Sequence, residues 1–125
     1  MGMDQKVIFP SEKTPPWQKL IDLLAARGLL VQMRMIDAEL AFPDETPPET
    51  WRELRVASSS GMVTLRREPD GITLVIWGNA DLPTRQTWNA LAWALAHLTG
   101  GRIRTATAET SGDEFARAAE MPARW

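Results

Sequence analysis

Cysteine is absent from this chain of 125 residues, and histidine occurs once, at His97. The first absence excludes disulfide bonds, thiol catalysis and cysteine-ligated zinc. The second excludes metal sites that need two or three imidazoles. His97 lies in the last turn of a predicted helix, where a cation is favoured by the helix dipole, so the sequence favours a capping or surface role for it. We therefore expect neither a metal site nor a cofactor.

Long apolar runs and an excess of basic residues are also lacking. No run approaches the roughly 20 residues of a membrane span, and residues 1–6 lack the apolar core of a secretory signal. The formal net charge is −2, whereas a general nucleic-acid binder usually carries a basic excess. These features predict a cytoplasmic protein that binds neither membrane nor nucleic acid.

The familiar motifs of catalysis and phosphate binding are missing as well. Ser58, Ser59 and Ser60 lack the Gly-x-Ser-x-Gly elbow, and their run into Gly61 is typical of a turn. Neither glycine-rich phosphate-binding pattern occurs. The acidic residues of segment 37–49 do not match the ligand spacing of an EF-hand loop, which favours a solvated acidic edge. The sequence thus favours a protein that is not an enzyme.

A β-hairpin followed by a long helix organises the middle of the chain. Residues 62–67 and 72–77 are rich in strand-forming residues, and the Glu-Pro-Asp-Gly sequence between them is typical of a tight turn. The helical pattern begins near Asp81 or Pro83, with Asp81 as a cap, and ends at Gly100.

The remaining elements are assigned from the same kinds of pattern. A first helix is predicted from Thr14, as its cap, to Gly28. Strands are predicted in segments 6–9, 29–35, 36–42, 51–57 and 102–108, with a bulge or tight turn near residues 35–37 and a short helix at 48–54 as an alternative. Segment 111–114 matches a capping box, which predicts a short helix there.

This order of elements predicts a single α+β domain over residues 1–125. We expect a two-layer sandwich, with a mainly antiparallel sheet of four to five strands and two main helices packed on one face. Residues 109–125 would add a short helix and a frayed tail. The layout resembles that of small secretion-chaperone-type domains, which also place helices against a curved antiparallel sheet.

The six tryptophans point to the sheet face opposite the helices. Trp17 and Trp88 fall on apolar stripes of the helices, so burial accounts for them. The candidate partner-binding residues are Trp51, Arg55, Met62, Arg66, Val75, Trp77 and Trp93. Tryptophan, methionine and arginine are enriched in interface cores. The alternative is that residues 102–125 fold over this face and cover it.

Two functions follow from these patterns. The first is a protein–protein interaction module, acting as a homodimer or as an adaptor-, chaperone- or immunity-like partner of another protein. The alternative is a small-molecule-binding protein or small enzyme, with a pocket between the sheet and the second helix. The residues proposed for that pocket are Asn79, Asp81, Arg85 and His97.

Overall fold

One antiparallel sheet runs through the protein in a computed structural model that describes residues 2–123 and 125. Its strands are β1 (Gly2–Ile8), β2 (Gln32–Ile36), β3 (Glu39–Leu40), β4 (Glu53–Ala57), β5 (Val63–Glu68), β6 (Gly71–Trp77), β7 (Arg102–Arg104) and β8 (Glu109–Ser111). They are arranged in the order β3-β2-β4-β5-β6-β1-β7-β8. The α+β class and the antiparallel sheet are confirmed. The predicted four to five strands are wrong, because the described sheet has eight.

Two of the strands β1, β3 and β8 lie in predicted strand segments and one does not. β1 overlaps the predicted segment 6–9 but begins at Gly2, and it is an inner strand between β6 and β7. β3 keeps only two residues of the predicted strand 36–42. β8 has three residues in a segment where no strand is predicted, which is too short to show the alternation on which a strand prediction depends. β3 and β8 each pair with the strand that precedes them in the chain, whereas β1 pairs with strands that are distant in sequence.

In the part of the chain that the structure describes, three α-helices accompany the sheet: α1 (Trp17–Ala26), α2 (Leu82–Thr99) and α3 (Gly112–Ala118). α2 contacts β1, β5, β6 and β7, while α1 and α3 both contact α2. The predicted cap of α2 is confirmed, since the Asp81 carboxylate accepts a hydrogen bond from the Thr84 amide at 3.0 Å. Its end is confirmed by Gly100, which adopts a left-handed conformation. The cap of α1 is Pro16 and not the predicted Thr14.

The core combines buried side chains of the sheet with those of α1, α2 and α3. Val7, Leu54, Leu65 and Leu74 are fully buried, and they stand on adjacent strands of the sheet. Because successive side chains of a strand point to opposite faces, the residues that alternate with this set face away from α2. The core side chains therefore fix which residues form the opposite surface.

The backbone conformation of the turn residues explains two of the hairpins in the sheet. At Gly71 the φ angle is 150°, and a Cβ atom there would meet the carbonyl oxygen of Val7 on β1, so the turn into β6 requires glycine. Between β2 and β3, Asp37 and Ala38 both have positive φ angles of 48° and 68°, as in a type I′ hairpin turn. This turn lies where a bulge or tight turn is predicted, and a separate bulge lies earlier in β2, between Met33 and Met35.

The C-terminal segment lies on the edge of the sheet and on α2. β7 pairs with β1, and β8 with β7. α3 follows at the predicted capping box, where the Ser111 hydroxyl accepts a hydrogen bond from the Glu114 amide. The ring of Trp125 packs edge-on against Trp93 of α2. The described residues of this segment therefore leave Trp77 exposed on the opposite sheet face, although the β7–β8 connection lies beside Lys6 and Thr73 at its β1 end.

Candidate interaction surface

Strands β4, β5 and β6 present one set of side chains on the face of the sheet that α2 does not cover. The set comprises Arg55, Met62, Thr64, Arg66, Val75 and Trp77, which line a shallow groove of about 240 Å³ together with Gly2 and Ile76. We call these six residues the open sheet face. Trp77 is 70% exposed and Met62 is 41% exposed. Large apolar side chains thus remain accessible to solvent on this side of the molecule.

The register of the strands explains why these side chains meet. Thr64 lies opposite both Arg55 of β4 and Val75 of β6. Trp77 lies opposite Gly2 of β1. Since glycine has no side chain, nothing on β1 covers the indole at this position. The sequence therefore brings a tryptophan to the surface by pairing it with the one residue type that cannot shield it.

Charged side chains surround the apolar part of the open sheet face. Arg66 Nε lies 3.1 Å from the carboxylate of Glu53. Lys6 Nζ lies 2.6 Å from the Asp70 carboxylate, and the hydrogen bond between them raises the pKa of Lys6 and lowers the pKa of Asp70. Arg55 forms no ion pair with any residue of ranges 2–123 and 125. Its guanidinium is therefore available to an external carboxylate.

Five of the seven predicted partner-binding residues are brought together here, and two are not. Trp51 is 5% exposed and Trp93 is 4% exposed, so neither side chain joins Trp77 on the open sheet face. Trp51 precedes β4, and the guanidinium of Arg67 lies 5.4 Å from its ring centroid. Without a strand position, Trp51 does not follow the alternation that would have turned it outward.

Trp93 belongs instead to an aromatic cluster at the end of the chain. Its ring stacks on His97 at a centroid distance of 4.9 Å and meets Trp125 edge-on at 5.4 Å. The Arg27 guanidinium lies 4.7 Å from the Trp93 centroid, and its Nη1 donates a hydrogen bond to the Trp125 carbonyl oxygen at 2.9 Å. This cluster fastens the chain terminus to α1 and α2, which is a structural role.

The residues of the alternative pocket do not converge. Asn79 and Asp81 are exposed at the start of α2, and Asp81 is engaged as its cap. Arg85 Nε is held by the Glu120 carboxylate at 2.9 Å, a contact that lowers the pKa of Glu120. His97 is separated from Asp81 by about 24 Å along the helix, at 1.5 Å per residue. The four residues therefore do not line one common pocket.

A different groove lies beside α2, and the sequence did not indicate it. It has a volume of about 690 Å³ and is bounded by the start of β1, the β7–β8 connection, α2 and α3. Two buried carboxamides contribute to its wall, with Gln5 Nε2 donating to Asn89 Oδ1 at 3.1 Å. Asn89 Nδ2 donates in turn to the Glu120 carbonyl oxygen at 2.9 Å. The only available signal was a polar residue at an inward-facing position of β1.

Leu40 and Phe42 are two further exposed apolar residues. Both lie in segment 36–42, where a strand is predicted, and they are 89% and 75% exposed. Leu40 lies opposite Met35, which lies opposite Arg55. The bulge after Met33 turns Met35 to the open side of the sheet, so this row extends the apolar surface beyond β4.

The described residues offer little support for other kinds of site. Residues 2–123 and 125 contain no group of three or more acidic, histidine or cysteine side chains placed to hold a metal ion. In the same part of the chain, no helix combines the length and apolar character needed to cross a lipid bilayer. Comparisons with protein-family models, curated proteins and solved structures find no match.

Proposed function

We propose that the protein is an interaction module that binds a protein partner through the open sheet face. The observation that carries this proposal is the 70% exposure of Trp77 beside Met62, Val75 and Arg55 in one groove. Tryptophan and arginine dominate the binding energy of many interfaces. An exposed apolar patch of this kind marks interaction sites on soluble proteins.

The proposal takes the fold to be a two-layer sandwich with one solvated sheet face. Such a face usually carries polar residues, because only the other face packs on the core. Here Trp77, Met62 and Val75 interrupt the polar pattern. Burying a large apolar side chain gains roughly 1.5–3 kcal/mol, so a partner that covers these residues gains free energy that the folded monomer does not.

Substitution of Trp77 tests the proposal. We expect Trp77→Ala to reduce association without unfolding the domain, because most of the indole surface is in contact with solvent. Leu30→Ala is the matched control. Leu30 is similarly exposed, at 75%, but it lies between α1 and β2 and is not part of the open sheet face. Association is measured by light scattering on the purified protein and by capture from an extract of the source cells. Equal association by wild type and Trp77→Ala would contradict the proposal.

Small-molecule binding is a second candidate function, which the groove bounded by β1, α2 and α3 favours. Its volume of about 690 Å³ lies within the range of roughly 300–1,000 Å³ typical of ligand pockets. Gln5 and Asn89 supply polar groups in a mostly apolar wall. A ligand at one hundred times its dissociation constant would stabilise the native state by about 2.7 kcal/mol. A thermal-shift screen with no response across a broad metabolite panel would count against this function.

A further inference from the structure

Two rows of side chains cross the four strands β1, β6, β5 and β4 on the uncovered side of the sheet. The first row is Asp4, Val75, Thr64 and Arg55, and the second row is Lys6, Thr73, Arg66 and Glu53. In each row the two ends carry opposite charges. The sign also reverses between the rows, because the first row is acidic at β1 and the second row is basic there.

A surface with this order of charges is complementary to itself. A twofold axis parallel to the strands, midway between β5 and β6, reverses each row from end to end. Asp4 then faces Arg55 of a second copy, and Lys6 faces Glu53 of a second copy. The same axis places Trp77 over Met62, an indole over a thioether, which is a favourable contact.

We infer that the partner of the open sheet face is a second copy of this chain, packed face to face about that axis. This inference rests on the proposed function and names its partner. Isologous contacts of this kind, in which one patch meets itself, are the commonest in oligomers. Packed sheets lie about 10 Å apart with their strands within about 30° of each other. An aspartate and an arginine that extend toward each other can span that gap.

A twofold axis across the strands is the competing arrangement. It would place Asp4 over Lys6 of the second copy and Arg55 over Glu53 of the second copy, so its charges also match. It would move Trp77 away from Met62, however, and leave the most exposed apolar side chain of the face without an apolar contact. The axis parallel to the strands is therefore the one that satisfies both charge and apolar surface.

Charge exchange between Asp4 and Arg55 tests the arrangement. In the inferred dimer, Asp4→Arg and Arg55→Asp each create like-charge pairs, and we expect each to weaken dimerisation at least about tenfold. The double variant Asp4→Arg/Arg55→Asp restores opposite charges, and its dissociation constant should return to within about threefold of wild type. Across the competing axis, the double variant would keep both repulsive pairs, so a failure to recover would overturn the inference.

The dissociation constants are measured by light scattering over a range of concentrations. Thermal unfolding of each variant provides the control for folding. A variant that dimerises weakly but unfolds at the wild-type temperature reports on the interface alone. A wild-type protein that is monomeric at every concentration would overturn the inference.

Cross-linking tests the same geometry with only one substitution in each chain. The chain has no cysteine, so single variants Asp4→Cys and Arg55→Cys each carry one thiol. A bifunctional thiol reagent spanning about 10 Å, the spacing of packed sheets, should join the two variants when they are mixed. Each variant alone should remain uncoupled, because three strand spacings of about 4.8 Å separate β1 from β4. Equal coupling of each variant with itself would contradict the inferred axis.

Failure of this inference is distinguishable from failure of the proposed function. If wild type stays monomeric but captures another protein in a manner that Trp77→Ala abolishes, the second copy is wrong and the interaction surface stands. If Trp77→Ala changes neither self-association nor capture, both conclusions are wrong.

Discussion

Trp93 and Trp77 show how two residues of one type serve different purposes in this protein. Trp93 is buried against His97, Trp125 and Arg27, whereas Trp77 stands in solvent. We expect Trp93→Ala to lower the free energy of unfolding by about 3–5 kcal/mol, as for other buried tryptophans. Trp77→Ala should cost less than about 1 kcal/mol. Urea denaturation of the two variants measures both values, and a Trp93→Ala protein as stable as wild type would contradict the assigned burial.

The Asp37 carboxylate is a second side chain whose contribution to stability can be measured. Its carboxylate accepts hydrogen bonds from the amides of Glu53 and Arg52, at 2.9 and 2.8 Å, and these bonds lower its pKa below the ordinary value of 3.8. By analogy with helix caps, Asp37→Ala should cost about 1 kcal/mol at neutral pH. Because the pKa is lowered on folding, this contribution is present above pH 3.8 and is lost as the pH falls through the folded value.

The measurement for Asp37 is urea denaturation of wild type and Asp37→Ala between pH 2 and pH 7. The difference between the two should shrink as the solution becomes acidic. Asp37→Asn is the control, since its amide oxygen can still accept a hydrogen bond without a charge. A difference that stays constant with pH would show that the carboxylate charge does not contribute.

Side-chain placement could be predicted from sequence where strand alternation applies, and only there. Arg55, Met62, Arg66, Val75 and Trp77 lie inside or next to strands with clear patterns, so their common face was predictable. Trp51 lies outside a strand, and Trp93 is covered by contacts with Arg27 and Trp125 that are distant in sequence. Such long-range contacts leave no local pattern, which is why the sequence did not show that both side chains are buried.

The β2–β3 hairpin contains a non-glycine residue in an unfavourable backbone conformation, and a substitution there should stabilise the protein. Ala38 has a φ angle of 68°, a region in which residues with a Cβ atom are disfavoured by about 1–2 kcal/mol. Asp-Gly is a preferred sequence for this type of turn. We expect Ala38→Gly to stabilise the protein by about 0.5–1 kcal/mol after the entropy cost of glycine. Chemical denaturation measures the change, and a loss of stability would contradict the assigned turn.

In the β5–β6 hairpin, by contrast, the substitution Gly71→Ala should destabilise the protein. A methyl group at this position would meet the Val7 carbonyl oxygen of the adjacent strand, and we expect a loss of more than about 1 kcal/mol. The β5–β6 hairpin and α2 were predictable because their turns and caps are local in sequence. β8 was not, since it is short and is defined by its partner strand, and only two residues of the predicted strand 36–42 form β3.

Ion pairs join segments of the protein that are far apart in the sequence. Asp70 pairs with Lys6 of β1, and Glu120 pairs with Arg85 of α2. Hydrogen bonds from these partners lower the pKa of both carboxyl groups and raise the pKa of Lys6. Lowered carboxyl values stabilise the fold above their unfolded values of 3.8 and 4.5, and the raised lysine value stabilises it below 10.5.

We therefore expect the free energy of unfolding to fall on both sides of a neutral plateau. The acid decline should begin near pH 4, where the carboxylates become protonated, and the alkaline decline as the pH rises through the folded pKa of Lys6. Because these pairs are largely exposed, the losses should be modest and should diminish in high salt. Urea midpoints from pH 2 to pH 11 measure the profile. Lys6→Met should remove part of the alkaline decline, and an unchanged decline in that variant would assign the loss to groups other than the Lys6–Asp70 pair.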